Sequence, residues 1–162
     1  MMNGLVSLVG AFTLAGSVQA AFKEETSAGF EVLYSEGDFK VLINPSEREK
    51  IGNAKPQKGD QVTVHYTGRF ENGSEFDSSY SRDEPFTFPL QSGWVIKCWD
   101  DGFLHLSKGM KARLLCPPDF AYGSEGAGGV IPPNASIIFD VELIDIAQVE
   151  NEGWHSSPEA DL

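Results

Sequence analysis

The chain has 162 residues, of which 41% are hydrophobic and 11% aromatic, which is enough for one domain with its own core. It carries 24 Asp and Glu against 12 Lys and Arg. The formal net charge of −12 argues against a nucleic acid partner and against an anionic membrane surface, and a solvated acidic face accounts for it equally well.

The first twenty residues have the pattern of a cleaved secretory signal peptide. An apolar run from Leu5 to Ala15 precedes Val18-Gln19-Ala20, a small-residue pattern that suits signal peptidase. The alternatives are a membrane anchor, for which the run is short of ~20 residues, a buried helix, and a bipartite plastid presequence, for which Lys23-Glu24-Glu25 is too acidic. We expect residues 1–20 to be removed, leaving no membrane anchor, and the protein to lie in the endoplasmic reticulum lumen or to be secreted.

Residues 21–37 are interpreted as an N-terminal extension, and the folded domain is predicted to span residues 38–147. The apolar-rich segments FEVLY (30–34) and FKVLI (39–43) fit a hairpin or an entry strand. The segment that follows, residues 44–60, is charged and broken by Pro and Gly, so it is predicted to be a loop or irregular edge structure.

The strands after residue 60 are predicted from alternating apolar residues. The first begins at Gln61, and the Asn72-Gly73 pair that follows is a strong hairpin signal. Segment 85–90 alternates again. The residues expected on one face are Val62, Val64 and Tyr66 in the first strand, and Phe86 and Phe88 in segment 85–90.

A change of period predicts one short helix within residues 94–106. Its apolar stripe is formed by Trp99, Phe103 and Leu106, at positions i, i+4 and i+7, and Lys108-Gly109 ends it. Alternation then returns in segment 110–116, whose inward residues are Met110, Ala112, Leu114 and Cys116.

The last predicted strand follows a glycine-rich segment and the rigid pair Pro132-Pro133. The inward residues of this strand are Ile137, Phe139, Val141 and Leu143.

Residues 148–162 are acidic and show no hydrophobic period, so they are predicted to be a disordered tail. Strands outnumber the helix by about five to one, which predicts an α+β fold with an antiparallel sheet wrapped on one helix.

The residues do not form a conventional catalytic motif. His65, His105 and His155 lie on separate elements, so neither a Ser-His-Asp triad nor a metal site is expected. The glycine-rich segment is followed by a strand rather than a helix and does not resemble a phosphate loop. We therefore expect no metal and no cofactor.

Five motifs in order, VHYTGRFENGSEFDSS, PFTFPL, VIKCWDDG, PPDFAYG and GGVIPPNASIIFDVELI, resemble those of FKBP-type peptidyl-prolyl isomerases. The resemblance covers about residues 38–146 and implies a five-stranded antiparallel sheet curled around one short helix, with a hydrophobic pocket between them. It implies catalytic roles for Tyr66, Asp77, Tyr122 and Phe139. The substrate-binding residues that it implies are Phe76, Phe86, Val95, Ile96, Trp99 (the pocket floor) and Ile131.

The resemblance implies rotation of X-Pro bonds during protein folding. Its expected partners are proline-containing polypeptides and macrolides of the tacrolimus and rapamycin type, and we expect a monomer. One alternative is a binding or chaperone module of the same fold with little turnover. A second is a purely structural domain that carries an acidic tail.

Two possible modifications follow from the predicted location. Cys98 at the start of the helix and Cys116 on the inward face of its strand could approach and form a disulfide, although two buried thiols are equally supported. Asn72 and Asn134 begin N-x-S sequons. Each also has a structural interpretation, Asn72 in a tight turn and Asn134 as a loop cap.

Overall fold

The computed structural model describes residues 28–149. The predicted signal peptide lies outside the described residues, as does the predicted tail from residue 150 onwards. Residues 28–149 form one α-helix, α1 (Lys97–Gly102), and seven strands: β1 (Glu31–Glu36), β2 (Phe39–Ile43), β3 (Gln61–Phe70), β4 (Glu75–Ser78), β5 (Phe86–Pro89), β6 (Lys111–Cys116) and β7 (Ile137–Ala147).

The strands form one antiparallel sheet in the order β1-β2-β6-β7-β3-β4. Strand β5 also pairs with β3, beyond the stretch that β4 occupies. The predicted α+β class is confirmed, but the sheet has seven strands and not five. Two features raise the number: β1 adds an edge strand, and the long β3 takes two short partners on one side.

Strand β1 lies before residue 38, where the domain was predicted to start. It pairs with β2 from Glu31 opposite Ile43 to Glu36 opposite Phe39. Gly37 lies in the turn between them with φ of +58°, a conformation that glycine adopts without steric penalty. The segment interpreted as an extension thus contributes part of the sheet. The predicted loop after β2 contains a short 3₁₀ helix, Pro45–Lys50.

Alternating side chains place the core on one face of the sheet, as the sequence predicts. Val62, Val64 and Tyr66 of β3 are buried, and so are the inward residues predicted for segment 110–116. The inward residues of β7 are buried as well. A smaller apolar cluster of Leu42, Leu115 and Ile138 lies apart from this core.

Helix α1 packs against the core face and continues as a 3₁₀ turn, Phe103–His105. The predicted stripe of Trp99, Phe103 and Leu106 is buried. The helix approaches the sheet closely at Gly102, where a Cβ atom would lie 3.1 Å from both Cδ atoms of Leu114. Residues 28–149 include no helix long and apolar enough to cross a membrane.

Candidate active site

A cavity of about 430 Å³ opens between helix α1, the core face of the sheet and the neighbouring loops. It brings together nine of the ten residues that the family resemblance assigned to catalysis or substrate binding. Its lining consists of Tyr66, Phe76, Asp77, Phe86, Gly93, Trp94, Val95, Ile96, Trp99, Tyr122 and Phe139.

The floor of the cavity is the indole of Trp99, which is held by surrounding rings. Its ring centroid lies 4.9 Å from that of Tyr66 and 5.2 Å from that of Phe139, both in edge-to-face geometry. Phe88 and Phe103 support it from the core, each at 5.6 Å. The indole Nε1 is buried and has no hydrogen-bond partner among the described residues. The floor therefore offers an apolar ring surface that its neighbours keep in place.

Gly68 in β3 makes one wall of the cavity possible. A Cβ atom at this position would lie 2.6 Å from Cζ of Phe76 and 2.8 Å from Cε1 of Phe139. Both distances are too short for real carbon atoms, so any side chain at position 68 would displace the two rings. The rings of Phe76 and Phe139 meet edge to face at 5.7 Å because this backbone position is bare.

A polar group of three side chains borders the aromatic slot. The Tyr66 hydroxyl donates to Asp77 Oδ2 at 2.6 Å, and Arg82 donates to Asp77 Oδ1 at 2.5 Å and to the Tyr66 hydroxyl at 2.9 Å. Burial alone would raise the pKa of Asp77, but the hydrogen bonds from Tyr66 and Arg82 lower it. Burial and the bond to Asp77 raise the pKa of Tyr66. At neutral pH the cavity therefore holds a carboxylate with an attached guanidinium and a protonated phenol.

Two further residues of the lining carry hydrogen-bond donors. The Tyr122 side chain is 39% exposed, and its hydroxyl makes no hydrogen bond within the described part of the chain. Burial and the charge of Asp77 raise the pKa of Tyr122, so the phenol stays protonated at neutral pH. Ile96 lies at the N-cap of α1, where backbone N–H groups lack the partners of a helix interior.

The sequence did not predict three groups at the cavity. Arg82 lies in a polar 3₁₀ turn, and only the folded chain brings it to Asp77. Gly93 and Trp94 belong to the loop between β5 and α1 and line the cavity mouth. Trp94 gave a usable signal, because it falls outside the buried stripe of the predicted helix and is therefore an indole without a place in the core.

Ile131, for which the resemblance implied a role in substrate binding, is not among the residues that line the cavity, and that role stays a prediction. Ile131 is 7% exposed and packs in the main core. Reciprocal backbone hydrogen bonds with Ala127, at 2.9 and 3.0 Å, close a tight turn in the glycine-rich segment. The core cluster in which Ile131 packs also contains Tyr66, Trp99 and Phe139 of the cavity.

Cys98 and Cys116 are joined by a disulfide, with their Cα atoms 5.7 Å apart. Both residues are buried, Cys98 in the first turn of α1 and Cys116 at the end of β6. The bond therefore ties the helix to the sheet directly beside Trp99.

The two sequons border one shallow groove outside the cavity. Asn72 and Asn134 both line this groove of about 420 Å³, together with Val130 and Pro132 of the glycine-rich segment. Asn72 accepts hydrogen bonds from the backbone N–H of Ser74 at 2.9 Å and from its hydroxyl at 2.6 Å. Asn134 has φ of +57° and donates its N–H to the carbonyl of Gly123 at 2.8 Å. Both side chains are exposed.

The described histidines have stacking partners. His65 stacks on Tyr80 at 4.4 Å with its Nδ1 2.8 Å from the Ser79 hydroxyl, and His105 stacks on Tyr34 at 3.7 Å. Residues 28–149 contain no group of three or more His, Cys, Asp or Glu arranged to hold a metal ion.

The family model for FKBP-type peptidyl-prolyl cis-trans isomerases matches residues 52–144. The peptidyl-prolyl cis-trans isomerase Fkbp12 of Drosophila melanogaster is 52% identical over 95 residues, which are 59% of this chain and 88% of the relative. The FK506-binding protein 1 of Candida glabrata is 54% identical over 112 residues, covering 68% of this chain and 95% of the relative.

A solved structure supports the fold. The crystal structure of FkpA from Escherichia coli superposes with a TM-score of 0.64 at 35% identity. The match covers 80% of this chain and 59% of FkpA. The chain belongs to the FKBP-type peptidyl-prolyl cis-trans isomerase family, and its activity is the isomerisation of X-Pro bonds.

Proposed function

We propose that this protein accelerates X-Pro rotation in polypeptides of the secretory pathway, with the substrate proline seated on the indole of Trp99. The observation that carries the proposal is the aromatic slot, in which Tyr66, Phe139 and Phe86 surround the Trp99 floor beside a hydrogen-bonded Tyr66–Asp77 pair. The compact apolar ring of proline fits such a slot, and no nucleophile is needed.

The chemistry of the reaction explains why a dry slot is sufficient. Rotation about an X-Pro amide faces a barrier of roughly 20 kcal/mol because the twisted form loses the resonance of the planar form. The twisted amide is less charge-separated than the planar amide, so a desolvated apolar site favours it. Each ~1.4 kcal/mol of such differential stabilisation gives a tenfold rate increase. The exclusion of water by Trp99 and Phe139 thus contributes directly to the rate.

The donors at the slot hold the substrate while it rotates. In this proposal the Tyr122 hydroxyl and the Ile96 backbone N–H donate to substrate carbonyls. The position of both residues on the cavity lining supports these roles. Tyr66 and Asp77 are bonded to each other and to Arg82. The partly exposed Asp77 carboxylate is therefore already paired with a cation and does not need a charge from the substrate.

The same slot is proposed to bind macrolides of the tacrolimus and rapamycin type. Two lines of support are the cavity of about 430 Å³ and the relatives in Rhizopus delemar and Candida glabrata that are named FK506-binding protein 1, FK506 being tacrolimus. The Rhizopus protein is 57% identical over 95 residues.

We propose a location in the endoplasmic reticulum lumen or outside the cell. The signal-like residues 1–20 support it, as does the Cys98–Cys116 bond, which an oxidising compartment would maintain. Entry into this pathway would also expose the sequons to glycosylation, so Asn72 and Asn134 are proposed as modification sites. Exposed side chains at both positions support this.

The protein is proposed to act as a monomer on polypeptides, without a nucleic acid or membrane partner. The net charge of −12 supports the exclusion of nucleic acid, because a phosphate backbone would be repelled.

An exchange experiment tests the activity and separates it from the alternatives. A Leu-Pro peptide is followed by NMR exchange spectroscopy with and without the protein, and then with one equivalent of tacrolimus. Catalysed exchange that the macrolide suppresses is the expected result. Macrolide binding without catalysed exchange would indicate a binding or chaperone module, and neither effect would indicate a structural domain.

A further inference from the structure

Trp94 has a large apolar side chain, and the roles proposed for the other slot residues do not explain why it is exposed. It is 78% exposed, yet it lines the mouth of the cavity whose floor is Trp99. Since a tryptophan side chain can bury roughly 150–250 Å², an indole in solvent forgoes much of its stabilising effect on the fold. Its surface is thus available to whatever occupies the cavity.

The loop that carries Trp94 is held rigidly. The carboxylate of Asp100, which is buried in α1, accepts hydrogen bonds from the backbone N–H of Gln91 at 2.8 Å and of Gly93 at 2.9 Å. Gln91 adds bonds from its side-chain amide to the Asp100 carbonyl at 3.0 Å and to Asp101 at 2.8 Å. Trp94 is therefore presented from a fixed backbone next to the helix.

The composition of this loop indicates the chemistry that it would recognise. The segment Leu90–Ile96 contains no charged residue, in a chain whose net charge is −12. Gly93, Val95 and the exposed Phe86 lie with Trp94 on the cavity lining. An aromatic face among apolar groups favours an aromatic or large apolar side chain.

The position of the loop indicates which substrate residue would meet it. Phe76 and Asp77 of β4 form one wall of the cavity, and residues 93–96 belong to a separate segment that leads into α1. A polypeptide with its proline on Trp99 leaves the slot in two directions. We place the side chain before proline against the apolar Phe76 wall, so that the residue after proline lies toward Trp94.

We propose that Trp94 is a specificity-determining residue that contacts an aromatic or large apolar side chain directly following the substrate proline. The inference rests on the proposed isomerase function and specifies its substrates. The contact extends the substrate slot outward along a surface continuous with it.

The test compares two peptides, Ala-Leu-Pro-Phe and Ala-Leu-Pro-Ala, by NMR exchange spectroscopy, which requires no coupled protease. The wild-type protein is expected to have a higher kcat/KM for the Phe peptide. Trp94→Ala is expected to lower kcat/KM for the Phe peptide about five- to tenfold and for the Ala peptide less than about twofold. Trp94→Phe is expected to retain most of the preference, because a phenyl ring still provides an aromatic face.

A matched control is Val32→Ala, which removes another exposed apolar side chain, 58% exposed, on edge strand β1. It is expected to leave both rates unchanged. Equal rates for the two peptides with the wild-type protein, or the same preference in Trp94→Ala, would overturn the inference while the isomerase function stands. The absence of catalysed exchange for both peptides would overturn the proposed function and this inference with it.

Discussion

The floor and the mouth of the cavity are built in opposite ways. At the floor, Trp99 is 5% exposed, surrounded by five rings and preceded by a cysteine whose disulfide reaches the sheet. At the mouth, Trp94 lies in solvent, and hydrogen bonds to one carboxylate hold its loop. The comparison indicates that core packing fixes the surface on which proline rotates, which every substrate shares. Polar bonds position the surface that differs between substrates.

A truncation at the floor is expected to have the largest effect. Phe139→Ala should lower the free energy of unfolding by about 3–5 kcal/mol, because it removes a buried ring that contacts Trp99, Tyr66 and Phe76. It should also lower kcat/KM for every X-Pro peptide. Urea denaturation and NMR exchange measure the two effects. The control is Phe139→Leu, which keeps most of the volume, and wild-type rates in folded Phe139→Ala would refute the assignment of Phe139 to the slot.

The disulfide should affect stability more than activity. Removing it in the double variant Cys98→Ala/Cys116→Ala is expected to lower the free energy of unfolding by about 3 kcal/mol in the chain-entropy model. Catalysis well below the melting temperature should change less than about twofold, since the rings around Trp99 remain. Urea denaturation of the wild type with and without reductant provides the control. Two alkylatable thiols in the denatured, unreduced protein would contradict the bond.

Substitution of Asp77, in the polar group that it forms with Tyr66 and Arg82, is expected to have a smaller effect on stability, and this effect depends on pH. Asp77 has a lowered pKa in the fold, so its stabilisation is present above the unfolded pKa near 4 and is lost as pH falls through the folded pKa. Because the pair with Arg82 is partly exposed, Asp77→Asn should lower stability at pH 7 by at most about 1 kcal/mol. This difference should shrink as the pH falls below about 4.

Urea denaturation at pH 7 and at pH 3 measures this difference. The control is Glu75→Gln on the same strand, since the Glu75 carboxylate lies 4.0 Å from Arg69 on the surface. A difference between wild type and Asp77→Asn that is constant from pH 7 to pH 3 would contradict the ionic role of Asp77.

Substitution of the sequon asparagines should give the smallest effect, which is on the access of large substrates to the cavity mouth. In protein from a glycosylating host, Asn134→Gln is expected to leave peptide turnover unchanged and to speed proline-limited refolding of a protein substrate about twofold, since a glycan hinders bulky chains more than short ones. Asn72→Gln, in the same groove, is the matched comparison. Peptide mapping that finds Asn134 unmodified, or equal refolding rates, would reject this prediction.

The sequence predicted the floor better than the mouth, for a physical reason. Val62, Val64 and Tyr66 alternate, and Trp99, Phe103 and Leu106 recur with the helical period, because burial on one face imposes a period on the chain. Nine site residues then followed from the family motifs. Strand β1 and the division of the partners of β3 between β4 and β5 depend on pairing between strands, which the period alone does not determine.

The residues that sequence reasoning missed depend on the geometry of turns and loops, which the strand and helix periods do not determine. The backbone bonds between Ala127 and Ile131 close one such turn, and no alternation marks it. Arg82 reaches Asp77 and Tyr66 through a 3₁₀ turn whose sequence resembles an ordinary polar loop. Trp94 was not predicted, although its position outside the buried stripe of the predicted helix was a signal, and the bonds of Asp100 show that its loop is fixed at the mouth.

The Asp100 carboxylate also has a consequence for the entropy of binding. A mobile loop loses backbone freedom when a ligand orders it, at roughly 1–2 kcal/mol for each residue fixed. Gln91 and Gly93 are already fixed to a buried side chain by hydrogen bonds within the protein itself. Only rotamers remain to be restricted at Trp94, at about 0.5–1.5 kcal/mol for an immobilised side chain. A substrate that covers this indole therefore retains most of the resulting hydrophobic gain as affinity.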